Sequence, residues 1–218
     1  MTTWPSFMTK RFVITGLLVL FSVGFLGFFE ESENVAPAVQ ALIVSLVFFL
    51  VIPVLYSKII LGESLGNMGW RRGNAFAGVL SGVACIGLAT VASVLFIKMS
   101  PFGDYYRLPG LAEMSFFWFV LYEVVLVSLV TFLYEAFFRG FIQLSWLRDF
   151  GVMAVVIQTV SFFAFFYLSG SFTWQYAPLL LFAPLSGIIA YVSRSIWYPL
   201  LASWLYFFIT DILILTLH

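Results

Sequence analysis

Long apolar stretches alternate with short polar segments along the whole chain. A helix rises about 1.5 Å per residue, so about 20 apolar residues cross the ~30 Å hydrocarbon core of a bilayer. The pattern therefore predicts seven membrane-spanning helices. Their approximate ranges are 12–29, 35–56, 75–97, 115–147, 152–168, 177–192 and 197–217. We do not interpret the first as a signal peptide, because similar stretches continue to the end of the sequence.

The stretch at 115–147 is longer than a bilayer requires. At about 1.5 Å per residue it would reach nearly 50 Å, so we expect this helix to tilt, kink or project from the membrane. The segment before it, from Lys98 to Glu113, contains Pro101, Gly103 and Pro109 and is predicted to be a loop.

Composition supports a membrane protein over a soluble one. Hydrophobic residues make up 63% of the chain and charged residues only 9%, whereas soluble domains average about 25% charged residues. We therefore predict an all-α polytopic membrane helix bundle, a single domain over 1–218, with the lipid bilayer as its surroundings. The net charge is zero, which gives no reason to expect a nucleic-acid partner.

The distribution of basic residues predicts an orientation. If the N-terminus is cytoplasmic and seven helices cross, only Lys98 and Arg107 lie in outer loops, while Arg139 lies within a span. This matches the positive-inside rule and places the C-terminus outside. The basic residues then on the cytoplasmic side are Lys10, Arg11, Lys58, Arg71, Arg72, Arg148 and Arg194.

Glu135 and Arg139 lie four residues apart inside the longest apolar stretch. This spacing brings both side chains to one face of a helix, where they can pair. A charge in the hydrocarbon costs about 2.5–3.5 kcal/mol even on the lenient insertion scale, so such a pair usually faces a protein interior or a cavity. Two interpretations stay open: an intramembrane functional site, or a helix-stabilising pair near the membrane edge.

Other polar residues also fall within predicted spans. Glu123, Gln158 and Asp211 have no evident basic partner in the sequence, and a proton-coupled transporter would use carboxyl groups of this kind. Few further polar residues are available to line a solute path. For Tyr134, Tyr167 and Ser203, taken singly, the plain expectation is packing with each hydroxyl bonded to a backbone carbonyl. These are the candidate functional residues that the sequence provides without reference to any family.

The sequence gives little support for a metal site or for a disulfide bond. The chain has one cysteine, Cys85, and one histidine, His218 at the C-terminus. A zinc site built on His and Cys needs three or four ligands, and an intramolecular disulfide needs two cysteines. We therefore predict no metal site and no cofactor.

The segment 134–140, which reads YEAFFRG, resembles a known motif. It is similar to the E-E-x-x-x-R-G signature of the CAAX protease and bacteriocin-processing (CPBP, or Abi) family of intramembrane proteins. The segment 65–72 resembles the Gly-then-Arg loop that precedes the core of this family. The resemblance covers about 66–218 and implies a CPBP-like helical core in a bacterial or archaeal cell membrane.

Two further motifs of the family are altered in this chain. Its F-x-x-x-H motif resembles the segment 161–167, with Tyr167 where the His is expected. Its H-x-x-x-N motif resembles the segment 196–207, with Ser203 at the His position and Phe207 at the Asn position. In the first motif Tyr134 replaces the first Glu, and only Glu135 and Arg139 remain. Activation of water requires a base of suitable pKa or a metal, so the resemblance implies a degenerate member.

Three functional hypotheses follow. The first is a CPBP-like pseudoprotease that acts by binding a membrane or envelope protein or a peptide. The second is an active CAAX-type intramembrane endopeptidase with Glu135 as its base, which requires an open path to that carboxylate. The third is a proton-linked small-solute transporter, which requires Glu123 and Asp211 to converge on a common cavity.

Overall fold

The protein is a bundle of helices. The computed structural model describes residues 6–29 and 37–217, and within these ranges it contains nine helices and no β-strand. The predicted all-α polytopic membrane fold is therefore confirmed. The helices are α1 (Ser6–Gly27), α2 (37–60), α3 (Ala75–Met99), α4 (Phe102–Tyr105), α5 (Gly110–Met114), α6 (Phe116–Phe150), α7 (Met153–Leu168), α8 (Ala177–Ser193) and α9 (Trp197–Leu217).

Five helical segments are long and apolar enough to cross a membrane. They are Val39–Ile60, Ala75–Met99, Phe116–Phe150, Trp174–Ser193 and Trp197–Leu217. Two of the seven predicted spans correspond to shorter apolar helices, Val13–Gly27 and Met153–Leu168. Large apolar side chains such as Leu20, Phe76 and Phe116 cover the outside of the bundle, as expected for a surface in contact with lipid. Residues 30–36, where the first two predicted spans are joined, lie outside the described residues, and the orientation of the chain stays a prediction.

Helix α6 is continuous over 35 residues, close to the predicted 115–147. Ser115 begins it by accepting a hydrogen bond from the backbone N–H of Trp118 (3.4 Å). The helix widens to π-helical hydrogen bonding over Tyr122–Val127 and again over Glu135–Leu144. Widened turns of this kind are frequent at functional sites, and here each contains one of the buried glutamates.

The second widened segment of α6 is the centre of the fold. All ten of its residues are buried, and it packs against α7, α8 and the short 3₁₀ turn Leu65–Met68. Aromatic rings hold α2 and α7 to it, with ring centroids 4.6 Å apart for Phe49–Phe137 and 4.8 Å apart for Phe138–Phe162. Offset and edge-on ring contacts of this kind add to the packing energy.

Helices α3, α8 and α9 form a second packed group. Small residues let α3 approach α9 closely, since a Cβ at Gly78 would overlap the ring of Tyr198. The hydroxyls of Ser93 and Tyr206 lie 2.8 Å apart across the same interface. Tyr206 also stacks on Phe182 of α8 with 4.6 Å between ring centroids. Helices α8 and α9 of this group also pack against α6.

The segment 61–74 is tied to the turn between α8 and α9. The backbone N–H of Asn74 donates to the carbonyl of Ser193 (2.7 Å), and that of Ile196 donates to Gly69 (3.0 Å). The same segment covers α6, where a Cβ at Gly140 would lie 3.0 Å from the Met68 carbonyl oxygen. Glycine at 140 therefore permits this close approach.

The predicted loop at 98–113 is partly helical. Pro101 and Pro109 occupy the positions just before α4 and α5. Proline suits the start of a helix, where its missing N–H costs nothing. These two prolines therefore mark the starts of short helices, whereas the sequence analysis predicted a loop from them.

Candidate functional site

Glu135 and Arg139 lie in the interior of the bundle. Their side chains are 2% and 3% exposed, and Arg139 Nε is 3.4 Å from Glu135 Oε2. Burial of both side chains fits the expectation that such a pair faces the protein interior. Two opposite charges in such surroundings are costly to desolvate and depend on their mutual attraction and on further hydrogen bonds.

Two serines supply hydrogen bonds to the carboxylate. Ser186 of α8 and Ser203 of α9 donate to Glu135 Oε1 at 2.7 and 2.8 Å, and both serines are buried. Hydrogen bonds to a charged group contribute about 1.5–3 kcal/mol each. The carboxylate thus joins three helices at one point.

The guanidinium of Arg139 is held on its other side by α7 and α8. Its Nη2 donates to the carbonyl of Ala183 (3.0 Å), and its central carbon lies 5.1 Å from the ring centroid of Phe162. A cation over an aromatic face is attracted by the ring. The ion pair is therefore enclosed by polar and aromatic contacts instead of water.

Two glutamine amides extend the polar contacts along α8. Gln143 Nε2 donates to the carbonyl of Gly187 (2.7 Å), and Gln158 Nε2 lies 3.3 Å from the carbonyl of Ala183. Both side chains are fully buried. A helical carbonyl has a second lone pair free for such contacts. Polar side chains of α6 and α7 therefore fix the position of α8.

We expect Gly187→Ala to destabilise the protein by about 1–3 kcal/mol, because overpacking forces neighbours to move. A Cβ at this position would overlap Gln158 Nε2 and lie 3.3 Å from Gln143 Oε1. Thermal unfolding of the purified variant in detergent measures the effect. Gly87→Ala is the matched control, because its Cβ would meet no atom within 4 Å. Equal stability of the two variants would contradict this packing.

The space beside Glu135 is very small. A cavity of about 10 Å³ lies against Glu135 and Arg139, which is at the lower limit for one water molecule. Tyr134, Ser203 and Phe207, three of the positions matched to the family motifs, line this cavity. A peptide cannot enter a space of this size.

Tyr167 does not take part in the site, which corrects the sequence-based expectation. Its side chain is 74% exposed on the outside of the bundle, whereas Phe162 and Phe166 of the same helix are buried. At 3.6 residues per turn, Tyr167 is about 140° around α7 from Phe162. The residue that α7 presents to Arg139 is therefore Phe162.

Glu123 and Asp211 come together at a second place. They are 0% and 1% exposed, and they lie close enough to interact electrostatically. The hydroxyl of Tyr106 donates to Asp211 Oδ1 (2.5 Å), and Trp204 Nε1 donates to the backbone carbonyl of Glu123 (2.9 Å). The transporter hypothesis requires both carboxyl groups to face a common cavity, and Asp211 lines a cavity of about 180 Å³ whose lining does not include Glu123.

The chemistry open to the Glu135 site is limited. One carboxylate oxygen accepts two hydroxyls and the other faces a guanidinium. Within the described residues, no three His, Cys, Asp or Glu side chains are grouped as a metal site would need. A general base must reach the proton that it removes, and Glu135 has scarcely the space for a water. The arrangement braces helices rather than presenting a free base.

Sequence reasoning did not identify Ser186, Gln143 and Phe162 as parts of this site. Gln143 had a signal, since Glu135, Arg139 and Gln143 recur at intervals of four in an apolar stretch. Ser186 and Phe162 had none, because serine and phenylalanine are common throughout the spans. Only the packing of α7 and α8 on α6 brings them to the ion pair.

No family model, curated protein or solved structure matches the chain. The resemblance to the CPBP family therefore stays a prediction from the motif residues.

Proposed function

We propose that this protein is a CPBP-like membrane protein without ordinary protease activity, which acts by binding a membrane or envelope protein or a peptide. The proposal rests on the close packing around the Glu135 side chain. Its carboxylate contacts Ser186, Ser203 and Arg139, and the adjoining cavity measures about 10 Å³.

The replaced motif residues support a loss of proteolytic activity. Tyr134 and Phe207 bring a phenol and an apolar ring to the cavity wall, and a phenol is not a base at neutral pH. The hydroxyl of Ser203, at a motif His position, donates a hydrogen bond to Glu135. The groups that would activate a water are thus exchanged for groups that close the site.

The same contacts support a binding role for the scaffold. Glu135 and Arg139 connect α6 with α8 and α9 through Ser186, Ser203 and the Ala183 carbonyl. Removal of the catalytic groups leaves these helix-to-helix connections in place. A family member that keeps its architecture in this way can still present a peptide- or protein-binding surface in the membrane.

A proteolysis assay tests the proposal. Purified protein in liposomes is mixed with prenylated CAAX peptides and with bacteriocin precursor peptides, and cleavage is followed by mass spectrometry. We expect wild type to cleave no more than Glu135→Gln, because Glu135 has no room to activate water. Tyr167→Phe is the control, since it changes a motif-matched but exposed side chain. Cleavage by wild type and Tyr167→Phe that is lost in Glu135→Gln would refute the proposal.

One observation favours a second candidate function, a proton-linked transporter. Glu123 and Asp211 meet in the interior, and Asp211 lines a cavity of about 180 Å³. Carboxyl groups inside membrane spans commonly carry protons. Acidification of liposomes that depends on an added solute, and that is lost in Glu123→Gln, would support transport. The endopeptidase alternative lacks such support because Glu135 is enclosed.

A further inference from the structure

A cavity of about 180 Å³ lies between α6, the 3₁₀ turn Trp174–Tyr176, α8 and α9. We call it the aromatic pocket. Three tyrosines, several apolar side chains from α6 and α8, and one carboxyl group line it. Its lining includes Tyr106, Tyr122, Gln175, Tyr176, Leu179 and Asp211.

The carboxyl group in the pocket belongs to a buried acidic pair. Glu123 lies close enough to Asp211 for the two groups to interact electrostatically. Neither oxygen of Glu123 has a hydrogen-bond partner among the described residues, whereas Asp211 Oδ1 accepts from Tyr106. A negative charge on Asp211 therefore has a second acidic group beside it.

No positive side chain in the described residues balances this charge. Neither Glu123 nor Asp211 is part of an ion pair there. The pKa of Tyr106, which lies in the connection between α4 and α5, is raised well above its ordinary value, first by burial and then by the neighbouring charge of Asp211. A buried charge without a partner is costly.

We propose that the aromatic pocket binds an organic ammonium ion, with Asp211 as its counter-ion and the rings of Tyr106, Tyr122 and Tyr176 as its walls. Aromatic faces attract cations, and cages of such rings recognise substituted ammonium groups. The positive charge of the ligand would balance the buried carboxylate of Asp211.

The residues that line the pocket favour an organic cation over a metal ion. Hard cations such as Ca²⁺ take six to eight oxygen ligands. The pocket presents apolar groups between its rings, among them Val127, Val130 and Leu179, and no group of three acidic, His or Cys side chains occurs in the described residues. Methyl or methylene groups on a nitrogen fit such a wall, whereas a metal ion with its water shell does not.

The pocket is reachable from the side of the bundle. Leu126 and Tyr176 in its wall are partly exposed, and the neighbouring Val124 and Val125 are exposed on the lipid-facing side of α6. Gln175 joins the pocket to the α4–α5 connection through hydrogen bonds with the backbone N–H and carbonyl of Arg107 (2.8 and 2.9 Å). The ammonium group can therefore come from a lipid headgroup or from a free amine.

Titration calorimetry with choline chloride on the detergent-purified full-length protein tests the site directly. We expect choline to bind, and Asp211→Asn to weaken binding by about tenfold or more because the counter-ion charge is lost. Its neutral analogue 3,3-dimethyl-1-butanol has the same shape and should not bind. Glu113→Gln, an exposed acid before α6, is the control and should leave binding unchanged.

Tyr176→Leu provides an independent variant, because its partly exposed ring can be replaced without removing a buried charge. We expect it to weaken choline binding about two- to fivefold. The proposal is overturned if the neutral analogue binds as well as choline, or if both Asp211→Asn and Tyr176→Leu bind choline like wild type.

Nanodiscs separate the two sources of the ammonium group. The melting temperature is compared in phosphatidylglycerol discs and in discs that also contain phosphatidylcholine. A rise with phosphatidylcholine that is smaller in Tyr176→Leu and absent in Asp211→Asn assigns the pocket to a lipid headgroup. A rise with free choline alone assigns it to a soluble amine, and a response to neither overturns the proposal. The outcome is independent of the proteolysis assay, which concerns Glu135.

Discussion

Replacing Arg139 with methionine should destabilise the protein by about 3–5 kcal/mol, because it leaves the Glu135 carboxylate buried without its opposite charge. Methionine roughly conserves the volume of the arginine stem, so the loss reports on charge more than on packing. Two serine hydroxyls remain on Glu135 Oε1, but they do not neutralise it. Thermal unfolding in detergent and the yield of monodisperse protein measure the effect.

The double variant Glu135→Gln/Arg139→Met is the control for this prediction. It removes both charges, and replacement of a whole buried pair is often neutral or stabilising. The glutamine oxygen can still accept from Ser186 and Ser203. We expect the double variant to recover most of the stability lost in Arg139→Met. If the single variant is as stable as wild type, the ion pair contributes nothing to the fold and the interior location is wrong.

Phe162→Ala should cost about 3–5 kcal/mol, the usual range for removal of a buried aromatic side chain. Phe162 is fully enclosed, packs on Tyr134 and Phe138, and lies under the Arg139 guanidinium. Its loss would leave a cavity beside the ion pair. The free energy of unfolding, measured by chemical or thermal denaturation, gives the size of the effect.

Tyr167→Ala is the matched substitution on the same helix. Tyr167 is the residue that alignment with the family motif selects, but its side chain points away from the bundle. We expect a change within about 0.5 kcal/mol, as for other surface positions. A large effect at Tyr167 with a small effect at Phe162 would mean that α7 is rotated about its axis relative to the structure.

The helices were predictable from the sequence because a membrane-spanning segment must meet one simple requirement. Each span must be long, apolar and helical, so that its backbone groups bond within the segment. The boundaries 197–217 follow from that requirement, and the unusual length of α6 follows from the continuous apolar stretch at 115–147. Loop helices were missed because α4 and α5 are short and polar signals dominate the segment around them.

The inward-facing side of each helix was not predictable in the same way. In a soluble helix the apolar stripe marks the core, but in α7 the lipid-facing and core-facing residues are both apolar. Phe162 and Tyr167 are therefore alike in hydropathy pattern, and the choice of Tyr167 rested on motif spacing. The meeting of Glu123 with Asp211 depends on the packing of α9 against α6, which no local pattern reports.

Thr131, Leu179 and Phe207 line both the aromatic pocket and the small cavity at Glu135. The partition between the two chambers is thus one side chain thick, although Glu123 and Glu135 are about 18 Å apart along α6. Phe207 separates the cavity of about 180 Å³ that contains Asp211 from the cavity of about 10 Å³ beside the Glu135–Arg139 ion pair. A smaller side chain at this position would merge the two volumes and give solvent and ions a route to the ion pair.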